Sequence, residues 1–157
     1  MTGEERKEYG MKVTQAGGSG LVVLTYDIIV KYLDDAMSAL NDNDEAEYRR
    51  SLRLARALLA ELTGALDMQY EISKKLMSLY IFMNKAIVRA DITKDITELI
   101  RIKEMLFKLR EAFAKVCEEC PQEPVMDNVE TVYTGYTYSK TAMNEEIYSN
   151  TNRGFTV

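Results

Sequence analysis

Histidine is absent from this chain of 157 residues. That single absence removes Ser-His and Cys-His nucleophile pairs, zinc sites that need imidazole, and the Glu-x-x-His helices of di-iron proteins. Proline is scarce: the two, Pro121 and Pro124, both follow the last strong helical pattern. They mark a boundary and leave long helices upstream uninterrupted. Cysteine is scarce as well, with only Cys117 and Cys120. A zinc site would need further ligands, and no other Cys and no His exists to supply them. A redox pair gains from a helix N-terminus, whereas this pair falls at a predicted C-terminus, the wrong end of the dipole for a thiolate. The expected state is two reduced, incidental thiols. No metal or other cofactor is expected.

Long apolar runs are missing too. No segment reaches the roughly 18 apolar residues of a membrane span. The opening MTGEERKEYG is charged where a secretory signal would be apolar, so the expected location is the cytoplasm. An excess of positive charge is also lacking. The net charge is −5 and the pI about 4.9, which repels phosphate backbones and anionic membrane surfaces. Neither nucleic acid nor membrane is an expected partner. Carboxylate clusters such as Asp34-Asp35 and Glu118-Glu119 lack anything to orient them as a catalytic pair, so no enzyme is expected.

What is present is helical periodicity. With 46% hydrophobic and 29% charged residues, the chain can bury one real core. Between Leu66 and Ala90, the apolar residues Ile72, Leu76, Leu79, Met83 and Ile87 recur at steps of four and three, one stripe on a helix. Leu52, Ala55, Leu59, Leu62 and Leu66 form a second stripe; Leu99, Ile102, Leu106, Leu109, Phe113 and Val116 form a third. Long helices are predicted from Leu21 to Leu40, Glu45 to Leu66, Tyr70 to Ala90 and Ile96 to Cys117. The turn Asn41-Asp42-Asn43-Asp44 is short enough to set the first two antiparallel. Thr93 or Asp95 would cap the fourth. The predicted fold is all-α, an antiparallel up-down four-helix bundle.

Residues 1–20 read as a movable N-terminal segment. Thr2 and Glu5 have capping-box spacing for a short helix, and Gly17-Gly18-Ser19-Gly20 forms a flexible joint. Residues 1–120 then make the helical domain, and 121–157 a Tyr-rich C-terminal tail. Four of the ten tyrosines lie in that tail, which is either disordered or docked through them.

The first long helix is more apolar than a bundle position needs. Asp27, Lys31, Asp34 and Ser38 form a narrow polar stripe, and nearly everything else from Leu21 to Leu33 is apolar. Either a second element of this chain or a second copy covers the surplus, or it is a groove for a partner's amphipathic helix. The nine methionines fit an adaptable surface but more commonly fill cores. Arg49, Arg53 and Arg56 share one face, read as solvated, with an acidic partner site as the minority reading.

The wording of these segments resembles the FliS family of flagellin export chaperones. Leu66-Asp67, Glu71-Ile72-Ser73, Leu76, Leu79-Tyr80, Met83-Asn84 and Ala90 match its third-helix region. Tyr9, Val13, Ala16, Leu21, Leu24, Tyr26-Asp27, Ala36 and Phe113 extend the likeness over roughly Tyr9 to Val116. Gly17-Gly18 stand where that family commonly has Ser-Pro, so the helix that follows should begin less sharply. The resemblance implies an antiparallel helical bundle without a catalytic site. It implies that the chain binds the C-terminal segment of flagellin, blocks premature polymerisation and helps present the subunit to the export gate FlhA. It would place Leu21, Leu24, Tyr26, Ile28 and Tyr32 against flagellin and Tyr9 at an N-terminal partner contact. Two other readings remain open: a self-associating bundle that forms a homodimer or holds a different helical client, and a small enzyme or redox sensor using Cys117 and Cys120.

Overall fold

The computed structural model describes residues 2–119, and all five elements within them are helices: α1 Gly3–Gln15, α2 Gly18–Asn41, α3 Glu45–Gly64, α4 Glu71–Thr93 and α5 Ile96–Glu119. The expectation counted four long helices and a short N-terminal segment; that segment is itself helix α1. The Tyr-rich tail and Cys120 lie outside the described residues.

Local chemistry explains most of the boundaries. Thr2 Oγ1 accepts from the Glu5 N–H at 3.2 Å, and Glu5 Oε2 accepts from the Thr2 N–H at 2.7 Å. This is a complete capping box, and it starts α1. The glycine joint is shorter than predicted. Gly18, Ser19 and Gly20 form the first turn of α2, because the Leu21 N–H finds the Gly17 carbonyl at 2.8 Å. No side chain caps that start, in keeping with the missing Ser. The link Asp42–Asp44 passes through Asn43 in the left-handed region, φ 58°. Asp44 then caps α3 by accepting from the Glu47 N–H at 3.0 Å. Helix α3 stops two residues short of its predicted end. Helix α4 runs three residues past Ala90 and ends at Lys94, also left-handed, whose N–H returns to the Ala90 carbonyl. Asp95 caps α5 by accepting from the Thr97 N–H at 2.8 Å.

Helix α2 packs against α3 and α5, and α4 packs against the same two, so the four long helices enclose one core. Helix α1 packs on α2 alone. The core holds Tyr26, Ile29 and Leu33 of α2, Tyr48, Leu52 and Leu59 of α3, Tyr80, Met83 and Ile87 of α4, and Leu99, Ile102 and Leu106 of α5. The α4 stripe therefore runs through Leu76, Tyr80, Met83, Ile87 and Ala90; Leu79 sits at its edge and Ile72 is 61% exposed. Steps of four and three allow both registers, and contact with α3 and α5 selects the one that buries the larger tyrosine. Val116, at the far end of the α5 stripe, is also exposed.

The polar stripe of α2 is where its neighbours attach. Asp27 pairs with Arg110 of α5 at 2.5 Å, Asp34 pairs with Lys103 of α5, and Lys31 pairs with Glu5 of α1 at 3.0 Å. Among the described residues, no helix is long and apolar enough to cross a membrane.

Candidate functional site

Leu21, Leu24, Ile28 and Tyr32 follow one another along one side of α2 at steps of three and four, and all four are half-buried. Tyr26 is not among them. It is fully buried, with its ring 5.8 Å edge-on from Phe113 and its hydroxyl 2.5 Å from that of Tyr80. Its side chain supports the core and presents nothing to a partner. The reason is angular: Tyr26 shares its azimuth with Ile29 and Leu33, the buried face of α2. Tyr9 is half-buried on α1, with Lys12 Nζ 5.4 Å from its ring centroid.

Helix α1 covers part of the surplus apolar face of α2. Its attachment is slight: packing on α2, and the half-buried Glu5–Lys31 pair. The Glu5 carboxyl is held below the usual carboxylate range by the Thr2 N–H and then by Lys31, while the Lys31 ammonium is pushed up chiefly by Glu5. At this junction a groove of about 430 Å³ opens, bordered by Lys12 and Gln15 of α1, Val23 and Leu24 of α2, and Ala114 and Cys117 of α5. Leu24 is thus the one proposed contact residue that lines it. Cys117 is half-buried and free.

Two further openings were not anticipated. A mostly apolar cavity of about 560 Å³ lies at the end of the helices, lined by Val22, Leu66, Ile72, Leu76, Phe113 and Val116 among others. The signal was present in the stripes: Ile72 and Val116 occupy their outermost turns, where a periodic apolar residue outruns the neighbours that would cover it. A groove of about 720 Å³ separates α3 from α4. Nothing in the periodicity of either helix alone foretells it. Among the described residues, no group of three or more His, Cys, Asp or Glu side chains is placed to hold a metal ion.

These three openings are thus interhelical and largely apolar, of a size for side chains of a partner helix. The described residues form an all-helical protein. The sequence model of the family described as Flagellar protein FliS matches residues 2–120, and the chain belongs to this family of flagellar chaperones. No curated protein sequence matches it.

Proposed function

We propose that the chain binds the C-terminal segment of flagellin in the cytoplasm, prevents its premature polymerisation and aids its delivery to the export gate FlhA. The observation that carries this reading is the row Leu21, Leu24, Ile28 and Tyr32, half-exposed on α2 beside a lightly held α1, in a chain of the FliS family. A client helix laid along that row would bury its own apolar face against these four residues, folding as it binds. Tyr26 would stiffen the row from within, and Tyr9 would meet the partner from α1. Helix α1 would serve as a movable cover, and 121–157 as a second segment able to compete for apolar surface.

Titration calorimetry with the C-terminal segment of flagellin from the same organism tests this. Submicromolar, roughly equimolar binding with a negative heat-capacity change supports helix burial on the chaperone. Absence of binding by competent components rejects it. The second reading, self-association, is favoured by the exposed rings of Phe82 on α4 and Phe107 on α5. It predicts a tight dimer in sedimentation that flagellin does not dissociate.

A further inference from the structure

The groove between α3 and α4 has a built shape. Buried Leu59 and Tyr80 form its floor. Ala57, Ala60 and Gly64 form its α3 wall at steps of three and four, and Met77 and Ile81 form its α4 wall. A Cβ added at Gly64 would meet nothing within 4 Å. The low wall admits another backbone closely, and Met77 adapts its shape to what is seated.

The charge on the groove is one-sided. Its charged lining residues are Arg53 and Arg56, and both are exposed. Among the described residues Arg53 has no partner, while Arg56 Nε donates only to the neutral amide oxygen of Asn84 at 2.8 Å. The other arginines of α3 are neutralised: Arg49 by Glu45 at 2.7 Å and Arg50 by Glu47 at 3.0 Å. A chain of net charge −5 thus leaves two cations without carboxylates, one turn apart, beside an apolar trough.

We infer that this groove docks an amphipathic helix of the client that carries two carboxylates, about one turn apart, next to its apolar face. The inference rests on the flagellin reading and adds a second contact surface to it, on helices that α1 does not touch. The apolar face fills the trough, and the carboxylates meet Arg53 and Arg56, which orients the helix along the groove.

The test is calorimetry of the full chain with the flagellin C-terminal segment at about 50 and 500 mM salt. The variants are R53E/R56E and, as a steric plug at an exposed site, Ala60→Trp, each first checked for unchanged melting. Wild-type affinity is expected to fall as salt rises. R53E/R56E should lower low-salt affinity about tenfold and flatten the salt dependence, and Ala60→Trp should lower affinity at both salts. Wild-type binding with both variants unaffected overturns the inference and leaves the flagellin reading standing. No binding by the wild type removes both. Sedimentation without client adds one more outcome: a wild-type dimer that R53E/R56E converts to monomer would make a second copy the occupant and overturn the client assignment.

Discussion

The hydroxyls of Tyr26 on α2 and Tyr80 on α4 meet 2.5 Å apart inside the core, joining two helices whose backbones do not lie side by side. Among the described residues each hydroxyl is the other's only side-chain hydrogen-bond partner, and both rings are almost wholly buried. The pair gives the core a directional contact between α2 and α4, as the buried Tyr48 hydroxyl does between α3 and α4 by donating to the Ala90 carbonyl at 2.7 Å, and it lies beneath the row proposed to hold a client.

Single and double removal of these hydroxyls should differ. Tyr26→Phe or Tyr80→Phe leaves one buried hydroxyl unpaired and is expected to cost about 1–3 kcal/mol, whereas the double substitution should cost less than the two singles added. Urea midpoints of the four proteins measure this. Additive losses would show that the hydroxyls do not depend on each other.

Alkaline pH should weaken the fold. Burial pushes both phenols above their ordinary range, and for Tyr26 the bond to Tyr80 adds to the shift. With folded pKa values above the unfolded value of about 10, the contribution is complete below that pH. It is lost above it, as the unfolded chain releases its protons first. Urea midpoints from about pH 8 to 11 should fall at the alkaline end, and less steeply in the double Phe variant. Some slope should persist, because burial also raises Tyr48.

Leu24→Asp and Ile28→Asp should fold and bind flagellin poorly. Burying an aliphatic side chain of this size is worth roughly 1.5–3 kcal/mol, so each loss should exceed about tenfold in Kd. Undiminished affinity would remove the α2 row as a contact surface.

Deleting residues 2–16 should raise client affinity if α1 competes for the α2 face, and removing the tail from residue 121 tests that segment in the same way. Unchanged or lower affinity counts against either as a cover. The Glu5 tether has its own pH signature. Its depressed pKa makes the pairing complete above the ordinary carboxylate range and lost as pH falls through the lowered value. Hydrogen exchange should therefore show α1 losing protection in acid before the four long helices do.

Adjacent α5 residues should respond oppositely to truncation. Leu106 is fully buried, and Leu106→Ala should cost about 2–5 kcal/mol. Phe107 is 47% exposed, so Phe107→Ala should cost far less. Equal losses in urea unfolding would mean that another surface covers Phe107 in solution.

Much of this protein is local, and what is local was legible. Capping by Thr2 with Glu5, by Asp44 and by Asp95 involves residues two or three apart, so these three helix starts could be read from residue types alone, whereas the uncapped α2 starts three residues before its predicted Leu21. Helix ends shifted by up to three residues, because carbonyls at a C-terminus can be closed at several positions, as Lys94 does by turning left-handed. The family likeness, carried by an ordered set of residues, was legible in the same way.

Periodicity determined that each helix has a buried face, but only the packed structure decided where that face points. Leu79 and Tyr80 are neighbours with almost equal claims on the α4 stripe. Tyr80 is inside because Tyr26 lies opposite to accept or donate one hydrogen bond. The polar line Asp27, Lys31 and Asp34 was legible as a stripe, but its partners Glu5, Arg110 and Lys103 are supplied by α1 and α5. The α3–α4 groove belongs to neither helix, since it is the space their side chains fail to fill together. A chain determines its helices through contacts a few residues apart. Grooves and the residues that come together on their rims arise from contacts dozens of residues apart, which no single helix encodes.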